Sequence, residues 1–308
     1  MRLMNAVRLG TYLALTAALI SGIANFISKI AVTAIKDPVL FTTLKNALVA
    51  VFLISGLVLF KKLSELKTLN RKDWLMLISV GLVGGALPFA LFFSGLEHSS
   101  AINAGLIHKS LFLWVAILAI PILGEKFSGM QWLGVGALFA ANLFVGGFAG
   151  FKFNFAELLI LFATILWAIE SIIAKIALKN ISSLTVASAR MVFGSLALLI
   201  YLSISGAPFN AITSLNQVEW GWTLLSSLFL LGYVTTWYSA LKMAPASHVA
   251  ALLVPATLIT NILSAVFVQG TLPFNQVASS ALLLLGVLFV IVFAKTNLPK
   301  TAPLKHIS

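Results

Sequence analysis

Cysteine is absent from the 308 residues. That excludes a disulfide-stapled scaffold and thiolate zinc sites, and it leaves the redox compartment unreadable. Charge is nearly as scarce: charged residues make up 9% of the sequence, and only 8 residues are acids. The two aspartates, Asp37 and Asp73, fall in loops between apolar runs, so an intramembrane aspartyl pair and an acidic metal cluster drop out. His98, His108, His248 and His306 are scattered without ligand spacing, so neither a metal nor a cofactor is expected. No G-K-[ST] phosphate loop is present, and ATP-driven work would need another chain. A G-x-S-x-G nucleophile elbow is missing too, so enzyme chemistry is hard to place.

What abounds is oil. Hydrophobic residues make up 60% of the chain and mean hydropathy is +1.07. A soluble domain is nearer about half apolar and about a quarter charged. A globule must cover itself with polar groups, and this chain has too few. The composition describes an integral, multi-pass membrane protein with the lipid bilayer as its solvent. A bilayer core of about 30 Å asks for about 20 apolar residues per helix. Ten such runs occur, at about 9–34, 39–60, 74–96, 100–122, 130–148, 155–177, 184–205, 220–242, 246–268 and 276–294. They do not alternate as barrel strands would, so the expected fold is all-α transmembrane with ten helices. Arg2 and Arg8 before the first run resemble a signal peptide, but no credible cleavage site follows, and the run reads as a span.

The net charge of +12 would suggest nucleic acid as a partner in a soluble protein. Here the basic residues cluster at the ends of apolar runs, which is a topology signal, and no nucleic-acid partner is expected. With the N-terminus inside, Arg2, Arg8, Lys61, Lys62, Lys67, Arg71, Lys72, Lys126, Lys175, Lys179, Lys242, Lys295, Lys300 and Lys305 lie on the cytoplasmic side. Lys29, Lys36 and Lys152 lie outside or near it, and Lys45, Lys109 and Arg190 lie within spans. Both termini are expected to be cytoplasmic and the chain to sit in the cell (inner) membrane.

A shift of about 145–146 residues maps one half of the chain onto the other. Ile27-Ser28-Lys29-Ile30-Ala31 falls on Ile173-Ala174-Lys175-Ile176-Ala177, Ser94-Gly95-Leu96-Glu97 on Ser239-Ala240-Leu241-Lys242, and Lys45 on Arg190. Each half, 1–149 and 150–308, carries five spans, so the second must enter the membrane upside down relative to the first. Inverted repeats are a transporter architecture, with two bundles rocking around a midplane site. Duplication as the mere origin of a scaffold or receptor is the competing reading.

Several soft motifs occur in order along the ten spans. They include Ser21-Gly22-Ile23-Ala24-Asn25-Phe26, Leu123-Gly124-Glu125, Leu166-Trp167-Ala168 and Arg190-Met191-Val192-Phe193. A further segment runs from Ala240-Leu241 through Ala250-Ala251-Leu252-Leu253-Val254-Pro255. Over about residues 9–294 the chain resembles an EamA-type carrier of the drug/metabolite transporter superfamily. It departs where Ser110, preceded by His108 and Lys109, stands in the place of Pro255, and where Val268-Gln269-Gly270 lacks the acid of Leu123-Gly124-Glu125. The resemblance implies export of amino acids or related amphipathic metabolites.

Charged groups inside a bilayer must face protein or water, because each costs about 2.5–3.5 kcal/mol at a helix centre. Lys109 lies about 12 Å below the outer edge and Glu170 about 22 Å below it. Lys109 is a candidate for a substrate carboxylate or a structural ion pair. Glu170 is a candidate for a proton or a cationic group, or a partner for Lys175 or another basic group at the inner end. A direct Lys109–Glu170 pair stays open, as does a role for His108, which points about 100° from Lys109. Trp167 and Trp237, with Trp114, Tyr233 and Tyr238, either line a pocket or pack. Asn25 and Asn261 either bind substrate or bridge helices. Lys45 and Arg190 are candidate gates at the two entrances, or snorkel to headgroups. Pro88, after Gly81, Gly84 and Gly85, and Pro255 are hinge candidates or packing kinks. Gly134, Gly136, Ala140 and Ala141 allow close helix approach, within the bundle or in a homodimer. The reading is a secondary carrier of a small-molecule substrate that works by alternating access. A lipid-handling membrane enzyme and a non-transporting receptor or scaffold are the alternatives.

Overall fold

The computed structural model describes residues 2–99, 101–143, 151, 153–204, 215–270 and 274–293. Among these residues there is no strand; the chain is helical throughout. Eight helices are long and apolar enough to cross a membrane, and two shorter apolar helices, Gly129–Ala141 and Val277–Phe293, complete the ten.

The first span is Arg2–Ile35 and the second Pro38–Leu59. The sixth is Phe155–Ala177, the seventh Ser183–Ile204 and the eighth Gln217–Met243, each unbroken. The fifth is Gly129–Leu143 and the tenth Phe274–Phe293; 144–148 of the fifth expected run lie outside the described residues. Starts follow side chains that accept from orphan backbone N–H groups. Asp37 accepts from Val39 and Leu40 at 2.9 Å each, with Pro38 at the first helical position. Asn70 with Asp73, and Asn216 with Glu219, form reciprocal capping boxes ahead of the third and eighth spans.

The third, fourth and ninth runs, expected as single helices, are each broken. The third is Arg71–Gly85 followed by Leu87–Glu97, parted at Ala86 (φ −131°, ψ −70°). Pro88 causes this, because it has no N–H for the carbonyl of Gly84 one turn back. The fourth is Ala101–Lys109 followed by Leu111–Leu123. At its break the Ser110 hydroxyl donates to the Ile107 carbonyl (2.6 Å) and accepts from the Trp114 indole (3.0 Å). The ninth is Ala246–Ala251 and then Ala256–Ser264, running on through a π-helical turn, Ala265–Gln269. Gly124 (φ 68°) and Gly270 (φ 70°) close the fourth and ninth spans in the same left-handed conformation.

Packing relates the two inverted repeats. The first span packs on the eighth and ninth, as the sixth packs on the third and fourth. The second packs on the eighth as the seventh packs on the third, while second with seventh and fifth with tenth pair across the halves. The ten helices in two inverted five-helix repeats are as expected, and the repeats interlock: nearly every extensive contact joins one half to the other. The packing forms two groups of helices, spans one, eight and nine, and spans three, four and six. Small residues permit the interlock. A Cβ on Gly22 would stand 2.6 Å from the Ala256 carbonyl oxygen, one on Gly85 2.8 Å from Gly194 Cα, and one on Gly134 2.9 Å from the Gly286 carbonyl oxygen.

Candidate functional site

The break in the third span exposes one carbonyl, that of Gly84, and two side chains take it. The Trp167 indole donates at 3.0 Å from the sixth span, and the Arg190 guanidinium donates at 3.2 Å from the seventh. Glu170 follows Trp167 by three residues and so lies on the same helix face. Its carboxylate accepts from the Tyr238 hydroxyl of the eighth span at 2.5 Å. A Cβ on Gly84 would fall 2.3 Å from Glu170 Cγ and 3.2 Å from Arg190 Nε, so acid and base close over the glycine together. Glu170 is 2% exposed and Arg190 8%.

The charge that faces Glu170 is therefore Arg190, with the Tyr233 and Tyr238 phenols beside them. Lys109 is not that partner. Lys175, the other basic neighbour considered for Glu170, donates instead to the carbonyls of Leu241 and Ala244. A buried acid and base beside each other offset part of the desolvation cost each would carry alone. The arrangement leaves a donor over: Arg190 Nε is buried and has no partner.

An aromatic wall adjoins this cluster. Trp167 meets Phe89 edge-on at 5.2 Å between ring centroids, Phe92 at 5.8 Å and His108 at 4.7 Å, and Phe92 meets His108 at 5.5 Å. Such geometries suit the ring quadrupoles. His108 Nδ1 has no hydrogen-bond partner. Trp237 stacks on Tyr233 at 6.0 Å, which joins it to the cluster from the eighth span.

The structure thus gathers Trp167, Glu170, Arg190, His108 and Trp237, and Pro88 acts through the carbonyl it frees. Other candidates lie elsewhere in the fold. Lys45 is half-buried and holds its ammonium over the Phe41 ring at 4.8 Å. Asn25 is exposed on the first span, and Asn261 is half-buried on the ninth. Pro255 heads the second segment of the ninth span, and Lys109 is half-buried beside His108. One participant, Gly84, escaped sequence reasoning as a site residue. Gly84 was legible in principle, because a proline four residues on strips its carbonyl of a donor. Among the described residues no group of three or more His, Asp or Glu could hold a metal.

The EamA-like transporter family matches the chain twice, over residues 8–147 and 154–292. A Bacillus subtilis protein, the uncharacterized transporter YyaM, is 28% identical over 231 residues, covering 72% of this chain and 74% of that one. An uncharacterized transporter of Synechocystis is 28% identical over 246 residues, covering 73% and 67% respectively. A solved crystal structure superposes with a TM-score of 0.77 at 17% identity, over 93% of this chain and 98% of that one, a likeness of fold alone.

Proposed function

The chain belongs to the EamA-like transporter family, and on that premise we propose that this membrane transporter is a secondary carrier for a small amphipathic solute of the amino-acid class. The observation that carries the substrate class is the buried pair at Gly84. Glu170 offers a carboxylate to a solute ammonium, and the spare Nε of Arg190 offers a donor to a solute carboxylate. Trp167, Phe92 and His108 form a wall against which an apolar side chain lies. Uncompensated charge is expensive away from water, so a zwitterion that matches both signs is favoured over an ion of one sign.

The cycle is alternating access, with the helix groups one–eight–nine and three–four–six rocking about the site. The breaks at Ala86, Ser110 and Leu252–Pro255 give three spans the freedom to bend. The Lys and Arg distribution supports a cell-membrane protein with both termini in the cytoplasm; the family match over residues 8–147 and 154–292 supports repeats that meet near residue 150, and net outward movement rests on the family resemblance. Glu170 carries the coupling proton when the solute is absent.

Counterflow in reconstituted vesicles tests the reading. Vesicles preloaded with an unlabelled amino-acid mixture should accumulate the labelled solute through wild-type protein, and E170A and R190A should lose it. Wild-type accumulation by both variants would overturn the assignment of the site. A scaffold would show no counterflow, and an enzyme would return an altered molecule.

A further inference from the structure

Glu125 takes no part in the Glu170–Arg190 cluster. It follows Gly124, whose left-handed backbone turns the chain out of the fourth span, and it reaches the start of the ninth. There its carboxylate accepts from the N–H groups of Ala246 (2.6 Å) and Ser247 (3.1 Å) and from the Ser247 hydroxyl. Lys175, near the end of the sixth span, donates to the carbonyls of Leu241 (2.5 Å) and Ala244 (2.7 Å), where the eighth span ends. Lys242 replies from the eighth span, donating to the Ile181 carbonyl just past the sixth at 3.1 Å. Charge-assisted hydrogen bonds of this kind are the strong class.

These bonds share one property. Each runs from the group of spans three, four and six to the group of spans one, eight and nine, and all lie at one end of the molecule. Two other polar ties stay inside a group. Thr11 meets His248 at 3.0 Å between spans one and nine, and Asn103 donates to Glu157 at 2.6 Å between spans four and six. At the same end as Glu125, Glu65 accepts from the Ser182 N–H (2.7 Å) and from the hydroxyls of Ser182 and Thr185 (2.6 Å each), tying the loop after the second span to the start of the seventh.

The sequence is lopsided in the same sense. The shift that lays Gly124 on Gly270 lays Glu125 on Thr271 and Glu65 on Ala211, so neither acid has a mate in the inverted repeat. Thr271 and Ala211 lie outside the described residues.

We propose that Glu125, Lys175 and Lys242 form a latch that holds the two helix groups together at the Lys- and Arg-rich end. The carrier rests closed on that side and opens there only when these bonds release. An equilibrium between two packings shifts by the difference in free energy between them, so removing bonds made in one state alone moves the population to the other. The latch rests on the transport reading only for the purpose that opening serves.

The absence of native cysteine makes the test direct. Spin labels at N5C and K179C, both exposed and one on each helix group, report the latched end; K29C and F155C report the opposite end. E125Q and K175M should lengthen the first distance and shorten the second without added solute. E219Q, which removes a capping acid at the opposite end, should leave both unchanged. Unchanged distances in folded E125Q and K175M overturn the latch. If E125Q does not fold, S247A removes one donor to the same carboxylate and gives the same reading. Counterflow is scored separately: shifted distances without solute movement in any variant sink the carrier and spare the latch, and the reverse result sinks the latch alone.

Discussion

An alanine at position 84 adds one methyl group where the third, sixth and seventh spans meet. On the native backbone its Cβ would stand 2.3 Å from Glu170 Cγ, 2.9 Å from Glu170 Cδ and 3.2 Å from Arg190 Nε. Carbon atoms rest about 3.5–4.0 Å apart, so Glu170 must retreat by about 1 Å or more. Cγ lies at the root of the side chain and moves only with χ1, so the carboxylate swings off the Tyr238 hydroxyl. Overpacking costs about 1–3 kcal/mol, and replacing a helical glycine with alanine returns about 1 kcal/mol. The lost Tyr238 bond adds about 0.6 kcal/mol, the usual worth of a side-chain bond between membrane helices. The net expectation is a loss of about 0.6–2.6 kcal/mol together with failed counterflow. Gly136→Ala is the companion variant, because its Cβ would meet nothing within 4 Å. It should be neutral or stabilise by up to about 1 kcal/mol. Denaturant unfolding in detergent micelles reads both. If G84A matches the wild type in stability and counterflow, the picture of acid and base closed over a glycine is refuted.

Other outcomes follow from the same geometry. Glu170→Gln keeps the shape but removes the charge facing Arg190; transport should lose its dependence on pH, and pH-dependent flux unchanged from the wild type would remove Glu170 from coupling. Trp167→Phe keeps the wall but returns one donor fewer to the Gly84 carbonyl, and unfolding should show a loss of about 0.6–1.7 kcal/mol. Burial opposes the charged form of Glu65, but the hydrogen bonds from Ser182 and Thr185, with Lys242 nearby, outweigh it and hold the carboxyl below its ordinary value. A depressed folded value means stability that is present above the ordinary value near 4.5 and lost as pH falls through the folded one. Thermal melts from about pH 6 to about pH 3 should therefore fall more steeply for the wild type than for E65Q, and parallel curves would contradict the sign. For topology, K67C and K300C should be shielded from an impermeant thiol reagent outside the cell, while N210C should react; the opposite pattern reverses the orientation.

Run length carried most of the architecture. Ten apolar stretches sized to a bilayer became ten helical spans, three of them interrupted. What composition could not reveal was which helix packs on which. Periodicity marks a face but does not name the surface it meets, so the interlock of the two repeats was not legible. The same limit governed the site. Glu170 and Arg190 stood out as charges in oil, yet they lie in different spans, and their meeting depends on Gly84 being small enough to admit both. Lys109 looked the deeper cation because depth was counted along one helix, whereas proximity is decided between helices. Glu125 was visible as part of a motif, but its partners Ala246 and Ser247 donate mainly through the backbone, which no residue pattern advertises.

The interlocked halves also bear on how the protein is made. Spans one to five enter the bilayer first, and the surfaces they will bury belong to helices still unsynthesised. Until the ribosome delivers the sixth and seventh spans, Gly84 and Gly81 lack the helices they pack on, and until it delivers the ninth the carboxylate of Glu125 has no helix start to grip. Assembly must therefore be late and collective, with the second repeat threading into places the first has kept open, and a nascent chain stalled near residue 150 should be a ready substrate for membrane quality control.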